Sequence, residues 1–339
     1  MDSKETINQS QKAYNQWASI WRHNCQMTRT FQKTPMKHYQ NKGIGKKAII
    51  VSMGNSFEHQ VDIIKQNQGK FDILAVDKAF VPLMERGIKP DYVLEADAQV
   101  SYQCYCEPFV KETKDIVLIA NAQSNPDWGG NWKGDKTYYV NEDNIETQKE
   151  FSPMSGVYDL LPAASNVSNA AAVYARMVLN YDSIILVGFD FCWDMGEKFY
   201  SFASGNEKFG NKSISLNDLR VFDLNNKMVC TSENLWFSSR WLDNFINVYG
   251  GFVNASKGIL RNAPFVNLES ELQSIVNYQR QLTEQEIALV NKKTIEINSE
   301  DSFKTARELM NNDEVEIIGG SIDFMFTADN SAQKSIKSK

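Results

Sequence analysis

Three carboxylates stand where chemistry could be done: Asp77, Asp97 and Asp190 each follow a short apolar run, at Phe71–Val76, Asp91–Ala96 and Ser183–Phe189. A carboxylate at such a place can bind ribose or base hydroxyls and amines, coordinate Mg²⁺ or serve as a general base, and its plainer use is to cap a helix. Ser52, Asn121 and Gly188 close neighbouring runs. If these runs are strands of one sheet, the polar residues lie side by side along one rim, and three independent caps explain the carboxylates less well. The loop Ser52-Met53-Gly54-Asn55-Ser56 follows the first run. Exposed N–H groups at the amino end of a helix attract anions and Gly54 permits close approach, so a phosphate could sit there with Ser56 as donor. The alternative is a plain strand-to-helix turn with Ser56 as N-cap.

The remaining candidates carry less chemistry. His59 is the only histidine beyond the first forty-five residues, and it reads either as a phosphate contact or as an exposed helical side chain. Phe189, Phe191, Trp193, Phe199, Tyr200 and Phe202 could stack a base or sugar or form a structural lid. Cys104 and Cys106 read as ordinary partly buried thiols. Neither G-x-G-x-x-G nor G-x-x-x-x-G-K-[ST] occurs, which disfavours a dinucleotide oxidoreductase and a P-loop kinase.

The elements that must position these residues follow from the pattern. Strands are expected at Lys47–Ser52, Phe71–Asp77, Asp91–Asp97, Ile116–Ala120, Thr137–Val140 and Ser183–Val187, with helices over Phe57–Gln66, the stretch to Arg86, and Ser168–Asn180. Near-continuous apolar runs alternating with helices argue for a parallel sheet covered on both faces. In open α/β sheets ligands bind at the carboxyl edge of the strands. Asp194–Lys227 is rich in Gly, Asn, Ser and Lys and reads as a lid or small subdomain, followed by a helix over Asn234–Tyr249, a strand over Gly250–Ala255 and a helical region from Glu269 to Val290. A further edge strand is expected at Glu314–Gly319 and a disordered tail from Ser331. The expected domains are a helical arm at 1–45, an α/β domain at 46–268 with its lid at about 192–227, and a helical appendage and tail at 269–339.

Charge and composition limit the function. The 339 residues carry 36 Lys and Arg against 42 Asp and Glu, a net −6. Residues 1–47 hold nine basic and two acidic side chains, so the rest holds 27 against 40, a net −13. Such a body repels a phosphate backbone, which excludes a dedicated nucleic-acid binder. No run is long and apolar enough for a membrane span and Met1-Asp2-Ser3-Lys4-Glu5 lacks a signal-peptide core, so a cytoplasmic location is expected. Five cysteines without C-x-x-C spacing and three histidines make a disulfide framework or structural zinc site improbable.

The order and spacing of several segments resemble a known family. Val76-Asp77, then Leu83-Met-Glu-Arg-Gly-Ile-Lys-Pro-Asp91 and Tyr92-Val-Leu-Glu-Ala-Asp-Ala-Gln99, is similar to the central domain of the motility accessory factor (Maf) family of flagellin glycosyltransferases. Ser168 to Phe191, ending Val187-Gly-Phe-Asp-Phe191, resembles the matching run of the bacterial sialyltransferases of glycosyltransferase family 42, and Thr231 to Ser256 resembles the Maf stretch that follows. The likeness covers Trp17 to Ser274. It implies a Rossmann-like, mostly parallel sheet with a lid-like insertion, and transfer of a nonulosonic sugar from a CMP-linked donor to a glycan or protein hydroxyl with no required cofactor. It also allows a homo-oligomer. By position, Gly54 and Ser56 would meet phosphate or ribose and Asp77 would lie near the base; Asn55, Asp97, Gln99 and Asn121 are further expected nucleotide-binding residues. Ser168 and Asn169 would contact phosphate and cytosine, Gly188, Asp190 and Phe191 the nucleotide, and Tyr200 the phosphate from the lid.

The sequence departs from that pattern at Ser52-Met53, Asn55, Asn169 and Cys192, and it has no histidine after His59, where the sialyltransferases carry their base. Asp194 or Asp190 is then the expected catalytic carboxylate. The same superfamily contains the archaeal MptE-like 6-hydroxymethylpterin pyrophosphokinase, whose Mg²⁺-dependent transfer from ATP uses an acidic motif where this chain reads Glu95-Ala-Asp-Ala-Gln99. That chemistry is the first alternative, and a non-catalytic nucleotide- or partner-binding module is the second.

Overall fold

The structure is a computed structural model and describes residues 17–141, 158–162, 164, 166–194 and 218–275. Helix α1 (17–29) turns Trp17, Trp21, Cys25 and Thr28 to one side, a spacing of three to four residues that makes a single apolar stripe. Trp21 and Cys25 are fully enclosed. The chain then runs through β1 (Lys47–Val51), a 3₁₀ turn (Asn55–His59), α2 (Val61–Gln66), β2 (Asp72–Val76), α3 (Asp77–Glu85), β3 (Tyr92–Glu95), α4 (Tyr102–Tyr105), β4 (Val117–Asn121), α5 (Pro126–Asn131), β5 (Lys136–Asn141) and β6 (Asp159–Leu161). Helix α6 (Val167–Val173) continues as a π-helical stretch to Leu179, and β7 (Ser183–Val187) follows. Beyond lie the hairpin β8 (Leu219–Phe222) and β9 (Met228–Thr231), then α7 (Glu233–Tyr249), β10 (Phe252–Asn254) and α8 (Leu268–Ile275).

Eight strands form one sheet in the order β10-β7-β1-β2-β3-β4-β5-β6, every neighbouring pair parallel. This is the Rossmann-like α/β architecture that the apolar runs imply. Strands β1, β2, β4 and β7 are buried at four of their five positions, as expected when helices cover both faces. The chain moves outward from β1 to β6 and returns to place β7 on the other side of β1. The strand order therefore reverses between β1 and β7, and there the connections diverge and leave a crevice at the carboxyl edge.

The amino-terminal helix is part of the body. Asn24 Nδ2 donates to the Gln123 carbonyl at 2.8 Å, Thr28 Oγ1 donates to the Ala122 carbonyl at 3.0 Å, and the Tyr158 hydroxyl donates to the Cys25 carbonyl at 2.8 Å. Helix α1 is thus tied to the carboxyl ends of β3 and β4 and to the residue that precedes β6. Asn24→Ala is expected to lower stability by about 1–2 kcal/mol, because the enclosed Gln123 carbonyl loses its donor. A thermal melt checks this, and an unchanged midpoint would contradict the docking.

Several elements differ from expectation. The helix expected over Phe57–Gln66 is a 3₁₀ turn and a separate short helix, and Ser168–Asn180 ends in π geometry with Asn180 in the left-handed region. The hairpin β8–β9 and the edge strand β6 stand where no strand was expected. Tyr200, Phe199, Phe202, the expected strand at 314–319, the tail and the helical region past 275 lie outside the described residues.

Candidate active site

The crevice is built by the loops leaving β1 and β7. Val51 pairs with Val187, and the ladder extends past both strands as Ser52 N donates to the Val187 carbonyl at 2.8 Å and Gly54 N donates to the Gly188 carbonyl at 2.9 Å. This approach requires glycine at 188: its φ is +70° and a Cβ would collide with the Ser52 carbonyl. Two residues on, Asp190 Oδ2 accepts the Ser56 N–H at 2.7 Å, while Oδ1 is buried with no hydrogen-bond partner among the described residues and the Lys257 amide lies nearby. Asp190 is 5% exposed. Burial pushes its carboxyl above the usual range, opposed by those amides and by nearby His59. Asp190 therefore brackets the Gly54–Ser56 loop against the exit of β7.

Helix α6 brings the other wall. It runs back across the sheet, so its first turn lies at the carboxyl edge, where the Asn166 side chain caps it by accepting the Asn169 N–H at 2.9 Å. Ser168 Oγ lies 2.7 Å from Ser52 Oγ. Asn169 is buried and its Nδ2 donates to the Ser238 carbonyl of α7 at 2.9 Å, which joins the two helices. Two hydroxyls and the loop of Gly54, Asn55 and Ser56 thus face one crevice. Phe191 has φ +53° and packs edge-on to Phe189 with ring centroids 6.0 Å apart. A left-handed Phe is strained backbone. Thr231 Oγ1 holds it by donating to its carbonyl at 2.7 Å. Asp194, at the start of the lid, is ion-paired with Lys227.

The other expected residues lie further along the rim. Asp77 is buried at the start of α3 and accepts the Lys78 N–H at 2.6 Å. Asp97 accepts the Gln99 N–H at 2.8 Å, and Asn121 Oδ1 accepts the Gln123 N–H at 2.9 Å. Asn121 ends β4, three strand spacings or about 14 Å from β1, beneath α1. The structure therefore brings Gly54, Asn55, Ser56, Ser168, Gly188 and Asp190 together and sets Asp97, Gln99 and Asn121 apart.

Glu95 was not among the residues expected at the site. It ends β3 fully enclosed, with Oε1 accepting the Asn125 N–H at 3.2 Å. Its strand partner Ala120 is paired in turn with Tyr138, so a small residue lets the carboxyl and the phenol approach on one face. Burial pushes the Glu95 carboxyl well above the usual range, and Asp77 and Asp97 push it further. The available signal was a charged residue inside a strand otherwise buried on both faces.

The family described as 6-hydroxymethylpterin diphosphokinase MptE-like matches residues 22–196, which is 175 of the 339 residues. The chain belongs to this family. The match begins inside α1 and ends just after Asp194, so this MptE-like region contains both walls of the crevice. The structure of the MAf glycosyltransferase from Magnetospirillum magneticum AMB-1 is similar in fold, with a TM-score of 0.55 at 15% identity over 94% of this chain. The MptE-like chain spans 56% of that protein's length. No curated protein matches the sequence. Among the described residues no helix is long and apolar enough to cross a membrane.

Proposed function

We propose that this MptE-like protein is a glycosyltransferase of Maf type, moving a nonulosonic, sialic-acid-like sugar from a CMP-linked donor to a hydroxyl of a glycan or protein. The observation that carries the reading is the Ser52–Ser168 hydroxyl pair at the strand-order reversal, beside the loop bracketed by Asp190. Two hydroxyls side by side at the carboxyl edge suit a phosphate. The fold likeness to the Maf glycosyltransferase supports the reading because it extends past residue 196, where the family match ends, to α7 and β10.

In this reading Gly54, Asn55, Ser56, Ser168 and Tyr200 hold the phosphate, and Asp77, Asn169, Gly188 and Phe191 border the nucleoside. Asp97 and Gln99 extend the rim toward the sugar, and Asn121, fully buried beneath α1, does not reach it. Asp190, enclosed by amides, positions the loop. Asp194 takes the proton of the acceptor hydroxyl as that oxygen bonds to the anomeric carbon and the bond to the CMP phosphate breaks. Lys227, its ion-pair partner, holds it in place.

Calorimetric titration with CMP, CDP, ATP and GTP tests the reading. Heat and saturation with cytidine nucleotides are expected, and no binding of either would overturn it. Ser168→Ala is expected to weaken CMP binding about 3–10-fold, the worth of one hydrogen bond to an anion, with little change in the melt. Equal affinity in the variant would remove the serine pair from the site.

The family description favours a second reading, diphosphate transfer from ATP to a pterin with Mg²⁺. The described residues do not form a ready ion site. Among the described residues no group of three or more His, Cys, Asp or Glu converges on a point that could hold a metal, and Glu95, at the acidic motif, is held toward its neutral form by burial. AMP release from ATP in the presence of hydroxymethyldihydropterin would favour this reading over the first.

A further inference from the structure

The acidic body raises a question that the hydroxyl pair leaves open, namely which cation meets an anionic donor. Among the described lysines, Lys46, Lys47 and Lys89 pair with Asp72, Glu271 and Asp115 at the amino edge of the sheet, and Lys227 pairs with Asp194. Lys257 differs from all of these. It follows β10, at the carboxyl edge, and its side chain is exposed and in no ion pair with the described residues.

Its backbone is fixed beside the phosphate loop. The Lys257 amide lies beside the same Asp190 carboxyl that accepts the Ser56 N–H, near enough to favour its charged form. Ile259 N donates to the Asp190 carbonyl at 3.0 Å. Gly258 lies so close to the Asp190 backbone that a Cβ has no room. On the near side, Ser256 Oγ accepts the Phe189 N–H at 2.8 Å, and Gln60 Nε2, from just past the 3₁₀ turn, donates to the Ala255 carbonyl. The segment 255–259 is thus tied to both the β1 and the β7 exits. A long flexible stem leaving this anchored point carries an ammonium to the mouth of the crevice, and lysine serves phosphate as a mobile point charge.

We propose that Lys257 supplies the cation that pairs with the donor phosphate in the β1/β7 crevice. This rests on the nucleotide reading above. The phosphate, rather than a carboxylate of the sugar, is assigned because the loop that shares Asp190 with Lys257 is the phosphate loop.

The test compares wild type, Lys257→Met and Lys257→Arg by calorimetry with CMP, with cytidine, which lacks the phosphate, and with inorganic pyrophosphate, thermal melts serving as the fold control. Lys257→Met is expected to bind CMP about tenfold more weakly, the worth of a charge-assisted contact. Its CMP affinity should also depend less steeply on salt. Cytidine binding should be unchanged, and Lys257→Arg should recover most of the CMP affinity. Equal CMP affinity in wild type and Lys257→Met would overturn the assignment, as would a parallel loss of cytidine. If wild type binds neither CMP nor cytidine, the nucleotide reading fails, and pyrophosphate decides for the lysine alone: loss in Lys257→Met upholds the anion site and equal binding removes it.

Discussion

Gly258→Ala is expected to lower the melting midpoint by about 6–12 °C, corresponding to roughly 3 kcal/mol at the 2–4 °C per kcal/mol typical of chains this size. It should also abolish detectable CMP binding. The methyl group would overlap the Asp190 backbone, and the obstacle is main chain, which cannot rotate aside as a side chain can. Segment 255–259 has to retreat, which breaks the Ile259 N–H bond to the Asp190 carbonyl and withdraws the Lys257 amide from the carboxyl. The Asp190 carboxyl, whose Oδ1 already lacks a hydrogen-bond partner among the described residues, then also loses the nearby amide, in an enclosed place where an unsatisfied polar group is costly. A melt within a degree of wild type, with CMP binding retained, would show that the bracket does not hold the loop.

Glu95→Gln is expected to gain on wild type as pH rises. The folded protein holds the Glu95 carboxyl above its ordinary value, so it binds more protons there than the unfolded chain does. Wild type therefore loses stability as pH climbs from the ordinary carboxyl value toward the raised one, by up to about 1.4 kcal/mol per pH unit. Glutamine carries no proton to lose. Its carbonyl can keep the Asn125 N–H, and its amide can donate toward Ser124, whose hydroxyl lies beside the carboxyl. Melts at about pH 4.5 and about pH 7.5 should show the variant near wild type at the lower pH and more stable at the higher one. A difference that stays constant between the two would mean that Glu95 is ionised in the fold.

Much of this arrangement was legible in the sequence. The run Ser183–Val187 is a strand residue for residue, and the helix expected from Asn234 ends at Tyr249 as observed, because buried parallel strands and amphipathic helices carry strong periodic signals. Strand β6 escaped because three residues at an edge, one of them the exposed Leu160, make no apolar run. The hairpin β8–β9 escaped because its first strand, with Leu219 and Phe222, and Met228 of the second are exposed, so alternation gives no cue.

At the site, position was legible and task was not. Asp190 could be placed on the rim from its strand, but its bracket joins residues 134 apart in sequence, and no local pattern reports such a contact. The same holds for Ser52 and Ser168, which meet only because the strand order reverses between β1 and β7. The stripe of Trp17, Trp21 and Cys25 signals burial, but the partner it buries against is set by the tertiary fold.

Amide hydrogen exchange of the whole protein with and without CMP tests the central claim most directly. The account predicts slowed exchange confined to 52–59, 166–170 and 188–193, the two walls of the β1/β7 crevice, and to 76–78 and 255–259 beside them. Protection at 95–99 and 121–125 instead, or no protection anywhere at saturating CMP, would contradict it.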